Sequence, residues 1–423
     1  MKKTIILFAS ALALSVGAFA QEKSAPERKI SVYGFIRTYA AFDSRECVAG
    51  TEDLFTYIPR DRSITAEGED LNAAPGMRFA ALTSRIGLDV KGFKVDGWNV
   101  AAKIETDFYA GLSGSTGTAQ LRLRQAFFTM NKKEWNIKVG QAWHPMAADM
   151  PDVFSLNAGS PFGPFSRTPQ ATLDYKIDDK FTATASALWQ MQYTSAGPDG
   201  ASANYIKYGC TPEIYLGVTG QHKGALVRVG VDILSIKPRR NNGMVKVADR
   251  ITTVSPFLYA QYKYKGFNAK FKTIFASAGE HMNLNGGYGI CGMDADGTAH
   301  YTPTRNWSSW LSVSYGTRFQ YIFFAGYVRN FGTSKALLDG VNSYTPLGFY
   351  FSKNSLENMN RMFRLTPTFV YNMGKLSFGM EYELTGAQFG SKGLGINLQN
   401  GLYEQDLHWI ANHRLQALIK YSF

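Results

Sequence analysis

The side chains able to do chemistry in this sequence are charged residues set at every second position. Asn99, Ala101, Lys103, Glu105 and Asp107 alternate with Trp98, Val100, Ala102 and Ile104. Arg122 and Arg124 alternate with Leu121, Leu123 and Phe127, and Lys138 and Gly140 with Ile137 and Val139. A period of two puts charge on one face of a strand and apolar groups on the other. The chemistry open to such a wall is ionic. Guanidinium forks grip carboxylates bidentately, and rows of charge set which ions cross a watery space. Catalytic chemistry is not indicated: there is no Gly-x-Ser-x-Gly elbow, no His-Glu-x-x-His and no phosphate loop. The 6 histidines show no metal-ligand spacing, and His408 and His413 fall on opposite faces of a strand. Asp294 and Asp296 could start a calcium loop, but the remaining ligands are missing. No catalytic residue, metal or cofactor is therefore expected. Cys47, Cys210 and Cys291 fall in expected loops, where one bridge with one free thiol and no bridge at all both stay open.

The elements that must carry these residues are strands throughout, with no sustained apolar stripe at helical spacing. Period-two segments with turn residues between them predict sixteen strands, at 30–42, 78–91, 98–110, 120–131, 134–143, 170–177, 180–193, 213–221, 225–236, 250–264, 267–278, 306–315, 318–331, 360–371, 375–385 and 407–423. The connections alternate long and short without exception. The short ones include 92–97, Asn131-Lys132, Asp178-Asp179, Lys265-Gly266 and Asn372-Met373-Gly374. A soluble sandwich has no reason to collect its long loops at one end. An all-β transmembrane antiparallel barrel does, and closure leaves no unpaired edge in lipid. Lys2 and Lys3, the apolar run 5–19 and Ala18-Phe19-Ala20 read as a signal peptide over 1–20, cut before Gln21. A short polar leader, 21–29, then precedes one barrel domain, 30–423. The formal charge of +12 could suggest nucleic acid, but the export signal, the strand pattern and the thin spread of lysines argue against it.

The expected outer faces are apolar, as in Leu376, Phe378, Met380, Tyr382 and Leu384 against Ser377, Gly379, Glu381 and Glu383. Trp98, Trp135, Trp143, Trp189, Trp310 and Trp409 fall near strand ends, where interfacial belts would sit. Ala80, Ala102, Thr106 and Gln125 make a smaller, more polar outer patch on the early strands.

Several segments resemble the general Gram-negative porins, and most of all the DcaP-like trimeric porins. They are Ser84-Arg85-Ile86-Gly87, Glu105-Thr106-Asp107-Phe108, Leu121-Arg122-Leu123-Arg124-Gln125-Ala126-Phe127 and Gly140-Gln141-Ala142-Trp143. Arg167-Thr168-Pro169-Gln170 is similar too, and Lys420-Tyr421-Ser422-Phe423 resembles the terminal aromatic signal read by the barrel-assembly machinery. The leader is too short for the N-terminal helical segment of some family members. The resemblance implies an outer-membrane location among lipid and lipopolysaccharide, three subunits, and passive diffusion of small solutes such as carboxylates. It also implies that the loop after the fifth strand, with its Gly159-to-Phe165 turn-rich run, folds inward as a constriction. The polar parity then expects Arg37, Arg85, Lys103, Glu105, Asp107, Arg122, Arg124, Lys138 and Arg414 on the pore wall, with Lys420 beside them. The basic wall would favour anions, and Asp149 and Asp152 of the loop would face it as an opposing acidic row that sets a transverse field across the narrowing. An adhesive barrel and a barrel hydrolase are the alternatives from other classes.

Overall fold

The computed structural model describes residues 29–423 apart from 51–52, 111, 114–117, 154, 156–158 and 341–344, so the expected signal peptide and nearly all of the leader lie outside the described residues. Sixteen strands form the barrel wall. They are β1 (Lys29–Asp43), β2 (Gly76–Ala80 and Arg85–Val95), β3 (Trp98–Asp107), β4 (Arg122–Lys132), β5 (Trp135–Trp143), β6 (Arg167–Lys176), β7 (Phe181–Leu188) and β8 (Glu213–His222). The second half comprises β9 (Ala225–Ile236), β10 (Ile251–Tyr264), β11 (Phe267–Ser277), β12 (Ala299–Tyr315), β13 (Phe319–Thr333), β14 (Met359–Met373), β15 (Leu376–Phe389) and β16 (His408–Ser422). Neighbours along the chain pair antiparallel, and β1 pairs with β16 to close the wall, Arg37 opposite Lys420 and Asp43 opposite Arg414.

Strand formation follows the alternation. In β15 the outward Phe378, Met380 and Tyr382 are exposed while Ser377, Glu381 and Glu383 are buried inside. Asp96-Gly97 and Lys223-Gly224 have positive φ at both positions, the backbone of a tight hairpin turn whose twist matches its strands. The turn after β2 is therefore the pair Asp96-Gly97, shorter than the expected 92–97. The strand runs on through a bulge near Gly92. Further up, β2 breaks between Ala80 and Arg85, so its two pieces pair separately with β1.

A second bulge, at Arg124, reverses the expected faces of β4 from Gln125 onward. Glu105 pairs with Gln125 and Thr106 with Leu123, which leaves Arg124 as an extra residue. Arg124 and Gln125 consequently both point inward, and Gln125 donates to Glu105 Oε1 (3.3 Å). Gln141 supports the bulge by donating to the carbonyls of Leu123 and Arg124 (3.0 and 3.1 Å). Ala80 also faces inward, opposite Tyr39, so only Ala102 and Thr106 of the expected outer patch lie outside. Trp310 is another inward residue, 2% exposed against Phe324, whereas Trp135, Trp189 and Trp409 are exposed as a belt requires. Cys47, Cys210 and Cys291 are all free thiols.

Candidate functional site in the barrel lumen

Two long loops fill the lumen. The loop between β5 and β6 starts with His144 N–H bonded to Ser166 O (3.0 Å), so its ends are tied and its body projects inward. Lys272 of β11 donates to Met146 O (2.8 Å), and Asp152 N–H reaches Ser312 of β12 (3.1 Å). Ser155 N–H reaches Glu381 of β15 (2.9 Å), and Arg364 of β14 reaches Ser160 O (3.3 Å). Phe162 is fully buried, edge-on to Phe324 and beneath the Arg364 guanidinium. Gly326 makes room for it, since a Cβ there would overlap the Phe162 ring.

The loop between β1 and β2 enters as well, which the sequence reading did not anticipate. Its short hairpin pairs Cys47–Ala49 with Thr56–Pro59. Arg364 donates to Thr56 O and Tyr57 O (3.3 and 3.1 Å), and Arg414 to Asp53 O (3.0 Å). Phe55 meets Phe165 of the other loop with ring centroids 5.3 Å apart. Farther out, Arg45 holds Asp70 at 2.8 Å. Burial would raise that carboxyl, but the Ser63 N–H and Arg45 outweigh it and hold Asp70 below the ordinary carboxylate range.

Between the loops and the β1–β6 wall lies a cavity of about 380 Å³. Arg37, Arg85, Arg122, Arg124, Arg167 and Lys420 bring positive charge to it, and Tyr57, Tyr109, Trp143 and Tyr193 supply aromatic surface. The wall acids neutralise some of these cations. Arg122 grips both oxygens of Asp107 (2.9 and 2.7 Å), and Arg124 bridges Glu105 (2.8 Å) and Asp107 (2.7 Å). Arg85 lies 3.5 Å from Glu105, whose other oxygen accepts from Tyr33 (3.0 Å). By contrast Arg37, Arg167 and Lys420 form no carboxylate pair among the described residues. Arg37 donates to Thr83 (3.1 Å) and lies over the Phe35 and Tyr39 rings. Arg167 donates to Gln192 (3.0 Å) and lies 4.9 Å over Trp143.

The expected residues thus divide. Arg37, Arg85, Asp107, Arg122, Arg124 and Asp152 line the cavity, and Glu105 stands directly behind. Lys103 pairs with Asp89 (3.2 Å), and Lys138 lies over Phe127, both nearer the short-turn rim. Arg414 is buried on Asp43 (2.9 Å) and does not reach the cavity. Of the expected opposing acidic row only Asp152 reaches the cavity, and both its members are paired with cations. Asp149 is clamped by Arg228 of β9 and Asp152 by Lys270 of β11, because the loop crosses to the far wall and meets cations there. Arg167 was missed because Thr168, Gln170 and Thr172 take the inward parity of β6. The available signal was a cation placed directly after the infolding run.

A second cluster lies on the far wall, where the fold joins residues that sequence spacing keeps apart. His144 Nε2 is 2.7 Å from Glu213 Oε1, and His281 Nε2 is 3.3 Å from Asp232 Oδ2. All four side chains are buried.

No family model matches the chain, and no curated protein matches it. Solved structures do. The outer membrane channel DcaP of Acinetobacter baumannii superposes with a TM-score of 0.65 at 18% identity, covering 96% of this chain and 100% of that one. The anion-selective porin from Comamonas acidovorans gives 0.52 at 11% identity over 94% and 100%. A trimer form of OmpT, an outer membrane protein of Vibrio cholerae, gives 0.50 at 12% identity over 94% and 99%. At such identities the likeness is one of architecture: this chain has the closed, sixteen-strand antiparallel barrel fold of the Gram-negative outer-membrane porins.

Proposed function

We propose that this protein is an outer-membrane porin through which small hydrophilic solutes diffuse passively, with a preference for anions such as small carboxylates. The observation that carries the reading is the narrowed lumen with Arg37, Arg167 and Lys420 left uncompensated on its wall. A sixteen-strand barrel is wide enough for an aqueous channel, and the loop after β5 occupies much of it. Fixed positive charge at such a narrowing lowers the energy of an anion there and raises that of a cation. An arginine fork beside a hydrogen-bonding tyrosine suits a carboxylate. The decisive measurement is reversal potential across a planar bilayer in a potassium chloride gradient. Anion preference is expected; cation preference, or no conductance, overturns the proposal.

We further propose a homotrimer in the outer membrane, each barrel being handled by the barrel-assembly machinery through Phe423. The outward Ala102 and Thr106 support close approach of a neighbouring wall, since small groups let backbones pack closely. Native mass measurement in mild detergent is expected to give three chains, and a monomer alone would refute it.

A further inference from the structure

The cluster opposite the basic wall has no part in the proposed channel, yet its chemistry is specific. Glu213 opens β8, Asp232 lies opposite Tyr215 on β9, His281 comes from the 3₁₀ turn Gly279–Met282, and His144 stands at the root of the infolded loop. None is more than 2% exposed. Ligating atoms of His144, Glu213 and Asp232 all lie within 4.8 Å of one another. His281 Nε2 joins them at 3.3 Å from Asp232 Oδ2 and 3.6 Å from Glu213 Oε1.

The hydrogen bonds fix what each group can do. Met146 N–H donates to His144 Nδ1 (3.1 Å), so that nitrogen carries the lone pair. His144 is then a neutral ring whose Nε2–H donates to Glu213 Oε1 (2.7 Å). Two carboxylates and one imidazole remain, and no Arg or Lys bridges either carboxylate among the described residues. Glu213 Oε2 and Asp232 Oδ1 are buried with no hydrogen-bond partner. Two adjacent carboxylates stripped of water are costly beside a single imidazole between them, and a divalent cation in its place would offset that cost more fully. The separations of 3.3 and 3.6 Å agree with the spacing of about 3.3 Å between neighbouring ligands around tetrahedral zinc.

We propose that Glu213, Asp232 and His281 bind a divalent transition-metal cation of the zinc type, with His144 as the positioning residue that orients Glu213. A mixed imidazole and carboxylate set suits zinc rather than calcium or magnesium, which take oxygen. The ion joins β8, β9 and the turn after β11, and through His144 the root of the infolded loop. Burial makes its exchange slow.

The test is elemental analysis of the full mature chain, purified from membranes without chelator, and again after chelator treatment and refolding with zinc chloride. About one zinc per chain is expected in at least one preparation. Asp232→Asn and His281→Gln should each retain less than about a tenth of that, while His144→Asn should weaken zinc affinity by about tenfold or more without changing the saturating stoichiometry. Asp294→Asn, on a surface hairpin, should leave zinc unchanged. Heat-modifiable gel mobility reports whether each barrel has folded. Wild-type protein with no zinc in both preparations overturns the proposal, as does a folded double variant Asp232→Asn, His281→Gln with zinc at the wild-type level. In the first case the cluster is a proton-sharing ion pair alone.

Discussion

Single side chains on the basic wall have unequal duties. Arg124 serves Glu105 and Asp107 together and is itself buried, so its role is to balance charge within the wall. Arg124→Ala leaves those carboxylates short of a partner. It should destabilise the barrel by about 3–5 kcal/mol, read as a lowered unfolding midpoint in denaturant. Arg167 and Lys420 lack carboxylate partners among the described residues, so under the proposed function theirs is the charge a solute would meet. The double variant Arg167→Gln, Lys420→Gln should reduce anion preference, moving the reversal potential toward zero, with some loss of stability because Arg167 is buried against Trp143. Arg122→Ala with Arg124→Ala should shift it in the same direction, because it unmasks the Glu105 and Asp107 carboxylates, and at a larger cost in stability. The types of these residues and their faces were legible from alternation. Their pairing was not, because Arg124 reaches both acids only through a one-residue bulge that no spacing rule announces.

At the scale of elements, the infolded loop is held by its own small anchors. Phe162 occupies the hollow that Gly326 leaves in β13. Gly326→Val should expel that ring and loosen the loop, giving larger and noisier single-channel currents. Phe162→Ala should cost about 3–5 kcal/mol for the emptied site and change the current in the same direction. Strand order, strand number and the infolding of this loop were readable from the alternation of long and short connections together with the resemblance. The destination of the loop between β1 and β2 was not. Its hairpin enters the lumen because Arg364 and Arg414 offer donors to its carbonyls, and both arginines are more than 300 residues away in the chain. Separation along the chain also hides the His144 and His281 cluster, whose members belong to four separate elements.

Across the whole molecule the wall is sealed where its ends meet. The last residue contributes directly: Phe423 N–H bonds to Gly34 O (3.1 Å), Gly34 N–H to Phe423 O (3.3 Å), and the ring lies against the Gly34 Cα. Removing Phe423, or placing a side chain by Gly34→Val, should lower the folded fraction severalfold, seen as loss of the heat-modifiable band.

That seam also bears on how the barrel comes to exist in time. Every other pair of neighbouring wall strands is consecutive in the chain, so each can form by short-range zipping soon after its turn is made. The union of β1 with β16 instead requires two ends separated by the whole protein to find each other. The entropy of closing so large a ring is about 5 kcal/mol beyond a constant, incurred in one step. Until that step a nearly complete cylinder still presents two open edges and has no reward for its circularity. Closure therefore waits for β16, and a chain lacking β16 should persist as an open sheet rather than as a narrower barrel.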